Sequence, residues 1–220
     1  MTEYLKQDTI KKRIEKGATV MWEKEVYENQ DFCSIRMDGM DLEKKRFRSC
    51  RFDGSELVDV TWDRCVLENC SFASCLLSGV TFRQCAATNC LFRFASFFAV
   101  DFCSCKMTGA NLVDADVTGL TIDGGNWAYA DLRRMSFQKQ KLTDVSFFGA
   151  DLQECNFSRC VLRRCDFINA RITNACFEKA DLRDSSFGGN DLLHANFKEA
   201  RIDLEQAVIF ASALGVVYTP

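Results

Sequence analysis

The sequence predicts an all-β solenoid closed by a short C-terminal helix, and three periodicities predict it. From Phe32 to Ile202 every fifth residue is large and apolar, through Phe47, Trp62, Leu77, Phe92, Met107, Ile122, Phe137, Leu152, Phe167, Leu182 and Phe197, and only Ala87 in this series is small. On an α-helix five steps of about 100° turn the side chain about 140° from its start, so no stripe forms. On a strand an odd step puts successive members on opposite faces. A chain that turns a corner every few residues satisfies the pattern, and that is a solenoid.

The second periodicity lies two residues before each large apolar side chain. Cys50, Cys65, Cys70, Cys75, Cys85, Cys90, Cys105, Cys155, Cys160 and Cys165 occupy it, with Ala95, Ala110, Ala130, Ala150, Ala170 and Ala180 among the alanines. The third is a recurrence at twenty residues: Cys50, Cys70 and Cys90, then Cys65, Cys85 and Cys105, as if stacked in ladders.

An Asp or Asn often stands between the small and the large residue, as in Ala110-Asn111-Leu112, Ala130-Asp131-Leu132, Ala150-Asp151-Leu152 and Ala180-Asp181-Leu182. This pattern resembles the pentapeptide-repeat family over roughly residues 32–204, without a break in register. The resemblance implies a right-handed quadrilateral β-helix with four pentapeptides to a coil. Roughly nine coils at about 4.8 Å each make a rod of about 40 Å.

The elements follow in chain order. Residues 1–21 carry Tyr4, Leu5, Ile10 and Ile14 among charges and are expected to form a partly helical N-terminal cap. Trp22 and Tyr27 fall in the five-residue register, so the β-helix is placed at 22–202. Gly39, Gly54, Gly79, Gly109, Gly119, Gly124, Gly149 and Gly189 recur late in the repeat, where a corner needs a permissive backbone. The stretch Gly119 to Tyr129 is the least typical and the best place for a bulge. Residues 203–220 form the third element. Leu204, Ala207, Val208, Ala211 and Leu214 recur at helical spacing, Asp203 is placed to cap the helix and Gly215 to stop it.

Thirteen cysteines invite disulfides or metal, and their placement argues against both. Ten sit at the inward position, where a free thiol behaves as a compact hydrophobe. Coil spacing exceeds the usual Cβ separation of a disulfide, and metal sites want clustered pairs. Cys33, Cys103 and Cys176 lie off that position and are the more reactive candidates. The lone His194 falls in an outward slot with no nucleophile placed around it, and no phosphate-binding glycine motif occurs. The repeated carboxylates follow the turn period, which is a capping role. No enzyme activity and no cofactor are expected.

The ending, with Gln206, Ala207, Leu214, Gly215, Val216 and Val217, resembles the Qnr-type quinolone-resistance branch of the family. That resemblance implies an end-to-end homodimer made by Leu204, Ala207, Val208, Phe210, Ala211, Leu214 and Val217. The same segment read without the resemblance is a cap on the last coil of a monomer. The resemblance further implies a DNA-like rod that binds DNA gyrase or topoisomerase IV and relieves poisoning by quinolones or peptide toxins.

Charge is the sequence test of such mimicry, since B-DNA carries one negative charge about every 1.7 Å. The formal net charge is only −3, with 28 Lys plus Arg, and no face sorted by repeat becomes strongly acidic. The acidic clusters Glu56 with Asp59, Asp114 with Asp116 and Asp123, and Asp151 with Glu154 are candidate contacts, as are the outward aromatics Phe94, Phe98, Tyr129 and Phe148. Basic clusters at 44–51, Arg133-Arg134 and Arg163-Arg164 offset them. A protein-interaction scaffold or effector of the same fold with an unrelated partner is the alternative. A direct nucleic-acid role is disfavoured by the acidic isoelectric point near 5.4. No apolar run is long enough for a bilayer and the first residues lack a signal-peptide core, so a cytoplasmic location is expected.

Overall fold

Strand formation here is limited to what fits between corners. The computed structural model describes residues 22–217 and Thr219. The expected N-terminal cap, residues 1–21, lies outside them. Most strands are three residues long, and the parallel pairs all join residue i to residue i + 20, as in Val26↔Arg46, Arg46↔Val66 and Val66↔Ala86. A coil is therefore twenty residues, four repeats, with four faces.

The first face carries central residues Phe32, Phe52, Phe72, Phe92, Leu112 and Leu132. The second carries Met37, Leu57, Leu77, Phe97, Val117 and Phe137. The third carries Leu42, Trp62, Phe82, Phe102, Ile122 and Leu142, and the fourth Tyr27, Phe47, Leu67, Ala87, Met107 and Trp127. The result is the four-sided, right-handed β-helix that the resemblance to pentapeptide repeats implies.

The central residues fill the interior, and nearly all from Phe32 to Leu182 are buried. Because coils stack at strand spacing, like residues stack on like. Phe52, Phe72 and Phe92 are parallel rings 4.8 and 5.0 Å apart. Phe137, Phe157, Phe177 and Phe197 repeat this at 5.1, 5.1 and 5.0 Å. Dispersion across each ring face adds to the burial itself, which favours the fold by about 25 cal/mol per Å² of apolar surface.

From Asn29 to Glu199 nearly every corner places the second residue after the centre at positive φ, His194 in the 3-10 turn Leu192–His194 being the exception. The eight glycines at this slot have φ between +56° and +74°, but Asn29, Ser49, Asp59, Arg64 and even Phe94 and Tyr129 adopt the same conformation. The solenoid imposes the left-handed corner whatever side chain sits there.

The inward small position has a polar reason as well as a steric one. All ten of its thiols donate to the carbonyl of a central residue 23 positions earlier, from Cys50 to Tyr27 at 3.4 Å to Cys160 to Phe137 at 2.7 Å. Ser55 and Ser185 donate to Phe32 and Leu162 in the same way. Size alone identifies the slot in the sequence; the carbonyl that each thiol satisfies becomes visible only across coils.

The stretch Gly119 to Tyr129 keeps the register, so it is not a loop. Thr121–Asp123 pairs back to Asp101–Cys103, and Gly125-Asn126 pairs with Val145-Ser146. The irregularity overlaps its first half, on the side that faces the next coil. Among the described residues, no backbone hydrogen bond joins residues 114–124 to residues 133–143, and the ladders of the second and third faces skip the steps 116 to 136 and 121 to 141. The first and fourth faces remain bonded there, through Leu112 N–H to Asp131 O at 3.0 Å and Trp127 N–H to Ser146 O at 2.7 Å.

Candidate functional site

A solenoid whose interior is packed acts through what its corners and ends expose. Of the exterior residues singled out by the sequence, the fold gathers a subset on one side. Glu56, Phe98 and Asp116 lie on the second face, Phe94, Asp114 and Glu154 on the edge it shares with the first, and Asp59 on its other edge. Leu76 joins them on the second face and is exposed; only its place in the ladder reveals it. Asp123 stands on the third face and Asp151 on the first. Tyr129 and Phe148 form an edge-to-face pair at 5.6 Å on the fourth face, opposite Phe98.

Two side chains of this group are held against ordinary preference. Phe94 and Tyr129 are 58% and 61% exposed and sit at φ +58° and +59°. A bulky residue gains nothing from that corner, where Gly, Asn or Asp is cheaper. Arg93 lies over the Phe94 ring at 5.2 Å.

Three of the carboxylates on this side are paired. Glu56 meets Arg36 at 3.8 Å, Asp114 meets Arg93 at 3.9 Å and Glu154 meets Arg134 at 3.4 Å. Asp151 lies between Arg171 and Arg133, at 3.0 and 3.6 Å. Asp116 accepts from the Thr118 hydroxyl and N–H, which holds its carboxyl below the ordinary range. Cross-coil pairs such as Glu28–Arg48–Glu68 extend the pattern to the fourth face. The surface is alternating in sign, with no DNA-like run of negative charge among the described residues.

A cleft of about 440 Å³ opens at the missing rungs, lined by Ala115, Val117, Gly119, Met135, Gln138 and Gln140. It lies one coil beyond Phe94 and Phe98 on the same side.

The C-terminal end is a second surface. The helix runs Leu204–Ala213, with Asp203 and Gln206 forming a reciprocal capping box. Gly215, at φ +81°, follows its last turn. Gln206 is buried, and its amide donates to Leu182 O and Ser185 O at 2.6 Å each, closing carbonyls of the last full coil. Phe210 packs edge-on against Phe197 at 4.7 Å and Phe187 at 5.8 Å. Of the residues expected to dimerise, Phe210 is thus partly buried against the last coils. Ala207, Val208 and Ala211 are half-buried, while Leu204, Leu214 and Val217 are exposed, with Ile209 and Val216 beside them.

Burial holds several of the thiols in the neutral form. Burial pushes Cys75, Cys155 and Cys165 up to about 12 and Cys160 up to about 11. Cys33, off the inward slot, is also raised to about 11, by burial and by the bond to Asp31. His194 is exposed and faces Asp191 at 2.7 Å. Among the described residues no group of His, Cys, Asp and Glu is arranged to hold a metal, and no helix is long and apolar enough to cross a membrane.

Comparison with known proteins agrees with this architecture. The profile of the family described as pentapeptide repeats matches eight copies over residues 46–84, 75–112 and 141–184, together about half of the chain. No curated protein matches. Among solved structures, a trypsin-treated variant of QnrB1, a plasmid-mediated fluoroquinolone resistance protein, superposes with a TM-score of 0.78 at 22% identity, covering 88% of this chain and 97% of that one. Full-length QnrB1 gives 0.70 at 21% identity, over 87% and 100%. HetL, involved in heterocyst differentiation regulation in the cyanobacterium Nostoc sp. strain PCC 7120, gives 0.50 at 15% identity, over 81% and 90%.

Proposed function

The chain belongs to the pentapeptide-repeat family, and from that premise we propose that it is a non-enzymatic, cytoplasmic protein that binds DNA gyrase or topoisomerase IV and protects it from quinolones or a poisoning toxin. The observation that carries this reading is the extent of the likeness to a fluoroquinolone resistance protein, which spans almost the whole of both chains. The closing helix with its apolar outer side supports a dimer: Leu204, Leu214 and Val217 gather at the rod end, where a second copy would cover them. Two rods end to end would span a saddle built for duplex DNA.

Recognition of the topoisomerase then rests on shape and on the side bearing Leu76, Phe94, Phe98 and Asp116 rather than on bulk negative charge. The paired carboxylates also favour a second reading, a scaffold of the same fold for an unrelated protein partner. Supercoiling by gyrase with a fluoroquinolone present, titrated with purified protein from sub-micromolar to tens of micromolar, separates the two. Recovered supercoiling at low concentration is expected for protection. No recovery, with drug-free gyrase unaffected, would sink that reading and leave the scaffold.

A further inference from the structure

We infer that the rod is jointed at the missing rungs: the coils before residue 124 and those after residue 133 bend about the two bonded faces, and Gln140 is the wedge that keeps the other two open. This goes beyond any particular partner, because it follows from packing alone.

The volumes of the inward slots set the opening. On either side of the second face these slots hold Ala115 and Leu120 in one coil and Met135 and Gln140 in the next, where later coils hold Cys155, Cys160, Ala175 and Ala180. The central residue between them, Val117, is smaller than Phe97 and Phe137 in the coils around it. The layer is underfilled at its centre and overfilled at its corners. Ala115 and Val117 are only partly buried, whereas Ala95 and Phe97 one coil earlier are 1% and 0% exposed. Overpacking of this kind moves backbone.

Gln140 shows which contact fails. Asn190 occupies the same inward slot elsewhere and donates to Phe167 O and Ala170 O, 23 and 20 residues back, at 2.7 and 2.8 Å. The matching acceptors for Gln140 are Val117 O and Leu120 O, and its side chain donates to neither. The Gln140 Oε1 atom is instead buried without a partner. One methylene longer than Asn, the side chain props the slot that a Cys, Ala or Asn would close.

The opposite side holds. Asp131 N–H donates to Ala110 O at 2.9 Å and Trp127 N–H to Ser146 O at 2.7 Å, so the first and fourth faces form the axis of bending. The opening is on the side that carries Phe94, Phe98, Asp114 and Asp116 before the joint and Glu154 after it. Bending changes the curvature of that side, which lets a stiff rod conform to a curved partner.

Native-state hydrogen exchange by mass spectrometry on the full chain tests this. Amides of Val117, Gly119, Ile122 and Gly124 should exchange about a hundredfold faster than those of Phe97, Ala99, Phe102 and Ser104, their equivalents one coil earlier. In Gln140→Ala the slot closes, and protection of residues 113–124 should rise at least about tenfold. Trypsin cleavage at Lys139 and Lys141 should slow with it. Gln140→Cys supplies the thiol that ten other slots use and serves if the alanine variant does not fold. Equal protection of the two segments in the parent chain would overturn the joint. Exchange unchanged in both variants would overturn the role of Gln140.

Discussion

Gly125→Ala should be among the most damaging single-methyl substitutions in this chain, and the reason can be worked from distances. Gly125 occupies an inward slot at φ +103°, and a Cβ built there would lie 2.3 Å from Cys105 O, 2.9 Å from its N and 3.2 Å from its C. All three atoms are backbone, so no side chain can swing aside, and the coils must separate by about an ångström to reach ordinary contact. That separation strains the Asn126 N–H to Cys105 O bond at 2.8 Å and the Met107 N–H to Asn126 O bond at 2.7 Å, on one of the two faces still bonded at the joint. Loss of two rungs at about 1 kcal/mol each, with about 1–2 kcal/mol for an L-residue at this φ, gives roughly 3–4 kcal/mol. The control is Gly39→Ala, where φ is +56° and nothing lies within 4 Å of the added methyl. It should cost only about 1 kcal/mol, because non-glycine residues already occupy that corner in many repeats. Urea unfolding of both variants is the assay. If Gly125→Ala destabilises no more than Gly39→Ala, the close approach of the coils at Cys105 is not what the geometry indicates.

Three further outcomes are expected. Phe94→Asn with Phe98→Ser should leave the melting temperature equal or higher, since Asn tolerates the left-handed corner by about 1 kcal/mol more than Phe, yet should abolish protection in the supercoiling assay; retained protection would clear this side of a binding role. Gln206→Ala should cost about 2–3 kcal/mol by leaving two buried carbonyls unsatisfied, and truncation before Asp203 should halve the mass seen by light scattering if the tail dimerises. Acid should loosen the same end first: N–H groups of Gln206 and Asp184 hold the Asp203 carboxyl below its ordinary value, so its contribution is complete above about pH 4 and fades as pH falls through the lowered folded value, whereas Asp203→Asn should remove that pH dependence while keeping the cap; helical circular dichroism that does not change between about pH 5 and 2 would contradict it.

The five-residue period made the fold legible because every coil repeats the same burial decision. One position must face inward whatever its neighbours are, so Phe32, Leu57, Phe82 and Met107 could be ordered without knowing any contact. The capped helix was legible for the same local reason, since Asp203, Gln206 and Gly215 act within a few turns of one another. What escaped the sequence was decided between coils. The thiol-to-carbonyl bonds join residues 23 apart, and the closure of the last coil by Gln206 joins residues 24 and 21 apart. The joint was half visible: Gln140 at a slot otherwise given mostly to small side chains is a sequence fact, but its meaning depends on Leu120 beneath it and on the smaller Val117 beside it. Composition drew attention to Gly119–Tyr129, which keeps its register but whose first half lies along the missing rungs.

Charge shows why counting is insufficient on a solenoid. Residues twenty apart stack at strand spacing, so the sign of a face is set by what sits directly above and below each carboxylate, a relation that neither the total of −3 nor the linear clusters encode. Asp151 belongs to an acidic pair in the chain, yet in the fold it is flanked by Arg171 and Arg133, and Glu154 faces Arg134. Paired charges cancel within a few ångströms, so at physiological ionic strength, where the Debye length is about 8 Å, little net field extends to steer a partner. What does extend from this surface is apolar. Phe94 and Phe98 are more than half exposed, one of them at a corner that disfavours it, and they stand beside the missing rungs of the second and third faces. On that physical basis the side they share, rather than any acidic stripe, is where a protein partner gains most by docking.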